Sequence, residues 1–218
     1  MIKALIFDFD GLILDTETPE YLAINEIYLE HGLSLPITTY GQVVGSYYNQ
    51  DFEPVSDLSR LTGESIDPLA FWSKVRTQSL KTIQQSPLLP GVETLIQGAK
   101  NHALKLAVAS SSTHEWVDGH LRRYNLIEYF DVIKCREDVK NYKPAPDLFL
   151  AAAQAVGVEP QEALIFEDSL NGIIAARSAG IRVVVVPNPI TRHLKLEGET
   201  LRLQSLADIS LEELLAMF

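Results

Sequence analysis

The residues best suited to chemistry stand at the ends of apolar runs. Lys3-Ala4-Leu5-Ile6-Phe7 leads directly into Asp8-Phe9-Asp10-Gly11. A continuous apolar run closed by turn signals reads as a buried, parallel-type strand. Side chains two apart on an extended chain point to the same side, so Asp8 and Asp10 can face one site. Two carboxylates at a buried strand end are costly unless a cation accompanies them. Their repulsion raises a pKa or is relieved by a metal ion. Hard oxygen donors with no His or Cys beside them suit Mg²⁺ rather than zinc. Alone, an Asp-x-Asp reads more readily as turn or capping aspartates before a helix. Its company decides.

Two other apolar runs end in polar residues. Leu106-Ala107-Val108-Ala109 ends in Ser110-Ser111-Ser112, and Ala163-Leu164-Ile165-Phe166 ends in Glu167-Asp168. Between them lies Lys143-Pro144-Ala145-Pro146, a lysine held in an extended loop by prolines. Singly, each has a plainer reading. The serines and Glu167-Asp168-Ser169 can cap the helices that follow, and Lys143 can be a surface lysine. Jointly they make a phosphoryl-transfer set. Asp8 is placed to act as nucleophile and form an aspartyl-phosphate. Mg²⁺ held by Asp8, Asp168 and Glu167 would neutralise carboxylate and phosphate together. Ser110 and Lys143 would stabilise the charge spread over the equatorial oxygens. Asp10 is left for acid–base work on the leaving alkoxide and the attacking water.

The elements that must position these residues follow two patterns. From Thr18 to about residue 88 only helical spacing is present. It runs through Tyr21, Ile24, Ile27 and Tyr28, then Phe52, Val55, Leu58 and Leu61, then Phe71, Trp72, Val75, Leu80 and Ile83. Gly32 and Gly63 fit as C-terminal caps, and Asp67-Pro68 as a cap and first turn. Ser86-Pro87-Leu88-Leu89-Pro90-Gly91 breaks the pattern. Beyond it, helices at 92–102, 114–125, 146–157 and 170–179 alternate with strands at 104–109, 131–135, 163–167 and 181–186. A last helix begins at Leu211. This alternation predicts an α/β fold, a Rossmann-like doubly wound parallel sheet with the first strand central and an all-helical cap inserted after it. The expected boundaries are 1–14 with 89–218 for the catalytic core and 15–88 for the cap. In such sheets ligands bind beyond the carboxyl ends of the strands, where the polar residues lie.

The chain has 218 residues, enough for a sizeable core plus a satellite domain. Its net charge of -11, with no basic run, excludes the cationic patch that nucleic-acid binding requires. The carboxylates interrupt any N-terminal apolar run before a signal peptide forms, and no run reaches membrane-spanning length. One cysteine, Cys135, excludes an internal disulfide and suits a reducing cytosol. The expectation is a cytoplasmic enzyme with no membrane or nucleic-acid partner.

Asp8-Phe9-Asp10-Gly11, Ser110, Lys143-Pro144 and Glu167-Asp168-Ser169-x-x-Gly172 resemble, in order and spacing, the signature motifs of the haloacid dehalogenase superfamily. Leu12 to Glu17 and the inserted helices are similar to its β-phosphoglucomutase-like, sugar-phosphatase branch. The resemblance implies Mg²⁺, with Asp8 as nucleophile, Asp10 as acid–base and a metal ligand through its backbone carbonyl, and Asp168 as the second carboxylate ligand. It implies a small phosphorylated metabolite as substrate, a sugar or polyol phosphate. Dehalogenases proper lack the second aspartate, so Asp10 argues against that chemistry. A phosphosugar mutase shares the core motifs but has a histidine where Glu20 stands, and lysine and asparagine where Thr113-His114 stand. It also has an arginine after the motif that begins here at Gly45. Without those charges a second phosphate would be poorly held, which favours hydrolysis. A non-hydrolytic phosphoacceptor domain is the reading from another class, but it has no counterpart to Asp10. Candidate substrate contacts are Gly11, Glu17, Gly45, Ser111, Ser112 and His114. Tyr47, Tyr48, Asn49 and Gln50 are candidates at the mouth. A cap that already covers the site argues for a monomer.

Overall fold

The computed structural model describes residues 1–45 and 52–218. Tyr47, Tyr48, Asn49 and Gln50, expected at the mouth, lie outside the described residues.

Six parallel strands form one sheet in the order β3-β2-β1-β4-β5-β6. They are β1 (Ala4–Phe7), β2 (Lys105–Ala109), β3 (Val132–Lys134), β4 (Ala163–Glu167), β5 (Arg182–Val185) and β6 (Leu201–Arg202). The first strand is interior, as the sequence predicts. Alternation along each strand feeds two separate cores, because successive side chains leave opposite faces. Leu5, Phe7, Leu106, Val108, Leu164 and Phe166 pack on one face; Ile6, Ala107, Ala109, Ile165, Val183 and Val185 pack on the other. Both faces are covered, so the strands read as unbroken apolar runs instead of alternating ones.

The first face carries α5 (Val92–Asn101), α6 (His114–Arg123) and α9 (Leu211–Ala216) through Leu95, Ile96, Val117, Leu121 and Leu214. The second carries α7 (Asp147–Ala155) and α8 (Leu170–Ser178) through Leu148, Phe149, Ala152 and Ile173. These helices begin and end within two residues of the predicted bounds, and their caps follow from residue type. Thr113 accepts from the backbone N–H of Trp116, and Ser169 from that of Gly172.

The insert is helical: α1 (Glu17–Glu30), α2 (Ile37–Gly41), α3 (Pro54–Thr62) and α4 (Pro68–Ile83). It has a core of its own, built from Ile24, Tyr28, Tyr40, Leu58, Phe71 and Val75, which Ile190 of the sheet layer joins. Gly63 closes α3 in a left-handed conformation, and Asp67 caps α4 ahead of Pro68, both as expected. Two elements are additions to the sequence reading. The five residues of α2 and the two of β6 are too short to show a period. The two chain crossings between helical unit and sheet run side by side, with Leu14 bridged to Leu88 and Leu89 donating to the Ile13 carbonyl at 3.0 Å.

Phe7 sits in the centre of the first core, fully buried and stacked on Phe166 with ring centroids 4.8 Å apart. Phe7→Ala is expected to cost about 3–5 kcal/mol. Chemical denaturation read by circular dichroism should show an earlier midpoint; an unchanged one would remove Phe7 from the core.

Candidate active site

Three strand ends meet because three strands are neighbours in matched register. Phe7 pairs with Val108 on one side and with Phe166 on the other. One step beyond that level come Asp8, Ala109 and Glu167, and then Ser110 and Asp168. The loop between β3 and α7 delivers Lys143 from behind.

Lys143 is almost wholly buried, at 1% exposure. Its Nζ donates to Asp8 Oδ1 at 2.5 Å and to Glu167 Oε1 at 2.6 Å, and lies 4.6 Å from the centre of the Phe149 ring. The other oxygen of Glu167 accepts from the backbone N–H groups of Asp168 and Ser169 and from the Ser169 hydroxyl. Glu167 is thus fully engaged as the anchor of Lys143. Burial and the charges of Asp8 and Glu167 act on Lys143 in opposite senses. Desolvation lowers its pKa, but the two carboxylates outweigh it and hold the ammonium above its ordinary value.

Asp8, Glu167 and Asp168 can each offer one oxygen within 4.8 Å of the others. Three carboxylates around one ammonium leave excess negative charge in a buried place. Burial pushes Asp8 up to about 8, against the pull of Lys143. Burial, followed by the charges of Glu167 and Asp8, pushes Asp168 well above the usual carboxylate range. Asp168 Oδ2 accepts from Asn188 Nδ2 at 2.6 Å, while Oδ1 is buried with no partner among the described residues. An orphaned carboxylate oxygen beside surplus negative charge fits a bound cation, and all-oxygen donors fit a hard one. This buried acidic triad can hold a metal ion.

Asp10 turns to the other side of the strand end. Its Oδ1 accepts from Thr16 Oγ1 and Trp116 Nε1, each at 2.8 Å; its Oδ2 accepts from Ser112 Oγ at 2.6 Å and Ser110 Oγ at 3.4 Å. Asp8 and Asp10 both line a cavity of about 760 Å³ between sheet and helical unit. Ser110, Ser111, Ser112, Glu17, Glu20, Tyr40, Gly45, Trp72, Arg76 and Arg136 line it as well. Glu17 accepts from the Tyr40 hydroxyl at 3.1 Å. Burial, and then Glu20, raises its pKa well above the ordinary value. Gly11 lies beside the cluster and has no room for a side chain. A Cβ there would stand 2.5 Å from Asp168 Oδ2, and its φ is +77°.

Three residues at the site were not identified from the sequence as its polar partners: Thr16, Trp116 and Asn188. Asn188 follows β5 between two prolines and itself accepts from the backbone N–H groups of Ile190 and Thr191. That Pro-Asn-Pro turn after a strand end is the one signal that pointed to it.

His114 is placed differently from the other candidates. It is not among the residues lining the cavity; its ring meets Asp138 at 2.7 Å and Asp118 at 3.5 Å. Burial works against its charged form, but the hydrogen bonds and charges of Asp138 and Asp118 outweigh it, so the pKa is raised. A raised folded-state pKa stabilises at low pH, and the gain is lost as pH rises through that value. His114→Gln is therefore expected to destabilise at pH 6 and to be near neutral at pH 9. The gap should be no more than about 1 kcal/mol for so exposed a pair, read by urea denaturation at both pH values. Turnover should be unaffected; a large loss would return His114 to the substrate contacts.

The arrangement matches known proteins over nearly the whole chain. The family model for haloacid dehalogenase-like hydrolases matches residues 5–186. YhcW of Bacillus subtilis, provisionally named a phosphatase, is 45% identical over 215 residues, spanning 99% of this chain and 97% of its own. Fructose-1-phosphate phosphatase YqaB of Escherichia coli is 34% identical over 187 residues, spanning 84% of this chain and 95% of its own. Among solved structures, a variant of CbbY from Rhodobacter sphaeroides in complex with xylulose-1,5-bisphosphate superposes with a TM-score of 0.78. It is 29% identical, covering 98% of this chain and 99% of CbbY. The strand-end carboxylates, the buried lysine and the sequence match agree, and this chain belongs to the haloacid dehalogenase-like hydrolase family.

Proposed function

We propose that this hydrolase is a Mg²⁺-dependent phosphatase of small phosphorylated metabolites, sugar or polyol phosphates, working through an aspartyl-phosphate on Asp8. The observation that carries the reading is the pairing of Asp8 with Lys143 at the floor of an open cavity, beside the unpartnered oxygen of Asp168. Asp8 and Asp168 would hold the ion, whose positive charge offsets the repulsion between carboxylate and phosphate.

In the first step a carboxylate oxygen of Asp8 attacks phosphorus and the bond to the ester oxygen breaks. Asp10 gives its proton to the departing alkoxide. In the second, Asp10 takes a proton from water, the hydroxide attacks the phosphorus, and the Asp8 carboxylate leaves. Lys143 and Ser110 supply donors where negative charge collects on the equatorial oxygens. Thr16, Trp116 and Ser112 fix the direction of Asp10. The names of the relatives support the substrate class: one acts on fructose 1-phosphate, and another was solved with a sugar bisphosphate. The helical unit over the cavity favours a monomer that needs no second chain to enclose its substrate, with residues 1–14 and 89–218 as core and 15–88 as cap.

One observation favours a second reading, a substrate with two anionic groups, including the mutase alternative. The motif after Gly45 contains no cation, but α4 brings Arg76 to the cavity, exposed and, among the described residues, with no hydrogen bond or ion pair from its side chain. The case against a second phosphate is weaker than the motif alone suggests.

A panel of phosphorylated metabolites assayed for released phosphate tests the function. Asp8→Asn is expected to abolish release. Asp10→Asn should slow sugar phosphates at least about 100-fold and aryl phosphates much less, because a good leaving group needs no proton. Turnover by Asp8→Asn, or equal losses for Asp10→Asn, would refute the assigned roles. Arg76→Ala should raise KM about tenfold or more for a sugar bisphosphate and within about twofold for a monophosphate, as expected for one charge-assisted contact. Equal effects on both would remove the second anion site. Glucose 6-phosphate accumulating from β-glucose 1-phosphate and a bisphosphate primer would establish the mutase instead.

A further inference from the structure

The helical unit touches the sheet layer at a turn immediately beside the catalytic cluster. Asn171, the second residue of α8, donates from Nδ2 to the carbonyl of Val44 at 2.8 Å and to that of Gln42 at 3.2 Å. Ser111 Oγ donates to the carbonyl of Gly45 at 3.1 Å. Gly45 has φ +79°, and a Cβ there would lie 2.2 Å from Ser169 Oγ. All three contacts fall next to groups of the site. Ser169 Oγ donates to the glutamate that anchors Lys143, Ser111 follows Ser110, and Gly45 lines the cavity.

Residue type explains why asparagine suits this place. The carbonyls of Gln42 and Val44 lie one and three residues past the end of α2, in a turn outside its hydrogen-bond ladder. A carboxamide carries two N–H groups on one nitrogen and can serve both. An aspartate would present only acceptors to two carbonyl oxygens.

We propose that Asn171 is a positioning residue. It clips the turn at residues 42–45 against Ser111 and Ser169, so that the helical unit meets the sheet in one register and Gly45 stands at the wall of the phosphoryl-transfer cavity. The kinetic consequence rests on the phosphatase reading; the structural one does not. Aspartate near a helix N-terminus is favourable to the helix, so Asn171→Asp breaks the clip without weakening α8.

Hydrogen exchange of the backbone amides of Gln42 to Gly45, together with steady-state kinetics on a sugar phosphate, tests the proposal on the whole chain. Asn171→Ala and Asn171→Asp should speed exchange in that turn by roughly tenfold, the loss of one or two hydrogen bonds, and leave β4 and α8 unchanged. Asn171→Gln, which keeps the donors, should recover part of the protection. Gly45→Ala, altering the opposite side of the contact, should speed exchange in the same turn at least as much as Asn171→Ala, its Cβ meeting Ser169 Oγ. In the kinetics, kcat should fall about tenfold for Asn171→Asp while the Mg²⁺-induced rise in melting temperature stays at the wild-type value. Wild-type exchange in Asn171→Asp would overturn the clip whether or not the protein is a phosphatase. Faster exchange with unchanged kcat and KM would overturn the positioning role. Absence of phosphatase activity in the wild type would refute the function and leave the exchange result to decide the clip.

Discussion

A buried ammonium shared by two carboxylates is the interaction on which the site depends. Lys143 lies between Asp8 and Glu167 with almost no access to solvent. Such a group is not there for stability, since burying charge costs about as much as pairing returns. Its role is to fix a direction. Asp8 keeps one oxygen on Lys143, and Glu167 is held by the backbone N–H groups of Asp168 and Ser169 just ahead of α8, so the Asp8 carboxylate cannot turn without breaking a buried pair. Removing one partner would leave the others as uncompensated charge in a place where water cannot replace it.

The sheet makes that arrangement available. Neighbouring strands in matched register deliver Asp8, Ser110 and Glu167 to one edge, while the two cores on either face hold the strands level. Three carboxylates, Asp8, Glu167 and Asp168, stand at the same edge against the single charge of Lys143. Asp168 has an oxygen that no group among the described residues satisfies. The excess charge is therefore a built-in demand for a cation; burial first, and then the neighbouring carboxylates, push the pKa values of Asp8 and Asp168 up.

The walls of the cavity belong to a different layer. The floor of the cavity is made of strand ends, whose chemistry is general. Its walls, through Tyr40, Trp72 and Arg76, come from helices that pack around a core of their own. Relatives that act on different phosphorylated molecules can share the floor and differ in the walls. Of the candidate contacts, Glu17, Gly45, Ser111 and Ser112 line the cavity, whereas His114 is occupied by Asp138 and Asp118 outside it.

The sequence by itself determined the sheet and the floor of the site, because both are local. A strand buried on two faces must be apolar throughout, and its polar end residue marks the edge where polar groups collect, so the meeting of Asp8, Ser110 and Glu167-Asp168 as a candidate site was legible without coordinates. Helix caps such as Ser169 and Asp67 were legible for the same reason. What only the tertiary structure decided involves partners far apart in the chain. Glu167 stands in the acidic triad as its position implies, but that it also anchors Lys143 through one oxygen and accepts from backbone N–H groups through the other is visible only in the fold. Trp116 and Thr16 on Asp10, Asn188 on Asp168 and Arg76 at the cavity follow from how the helical unit and the loops fold over the sheet. No spacing along the chain encodes those meetings. They are set by packing in three dimensions, where a side chain's partner is whatever the fold brings within a few ångströms.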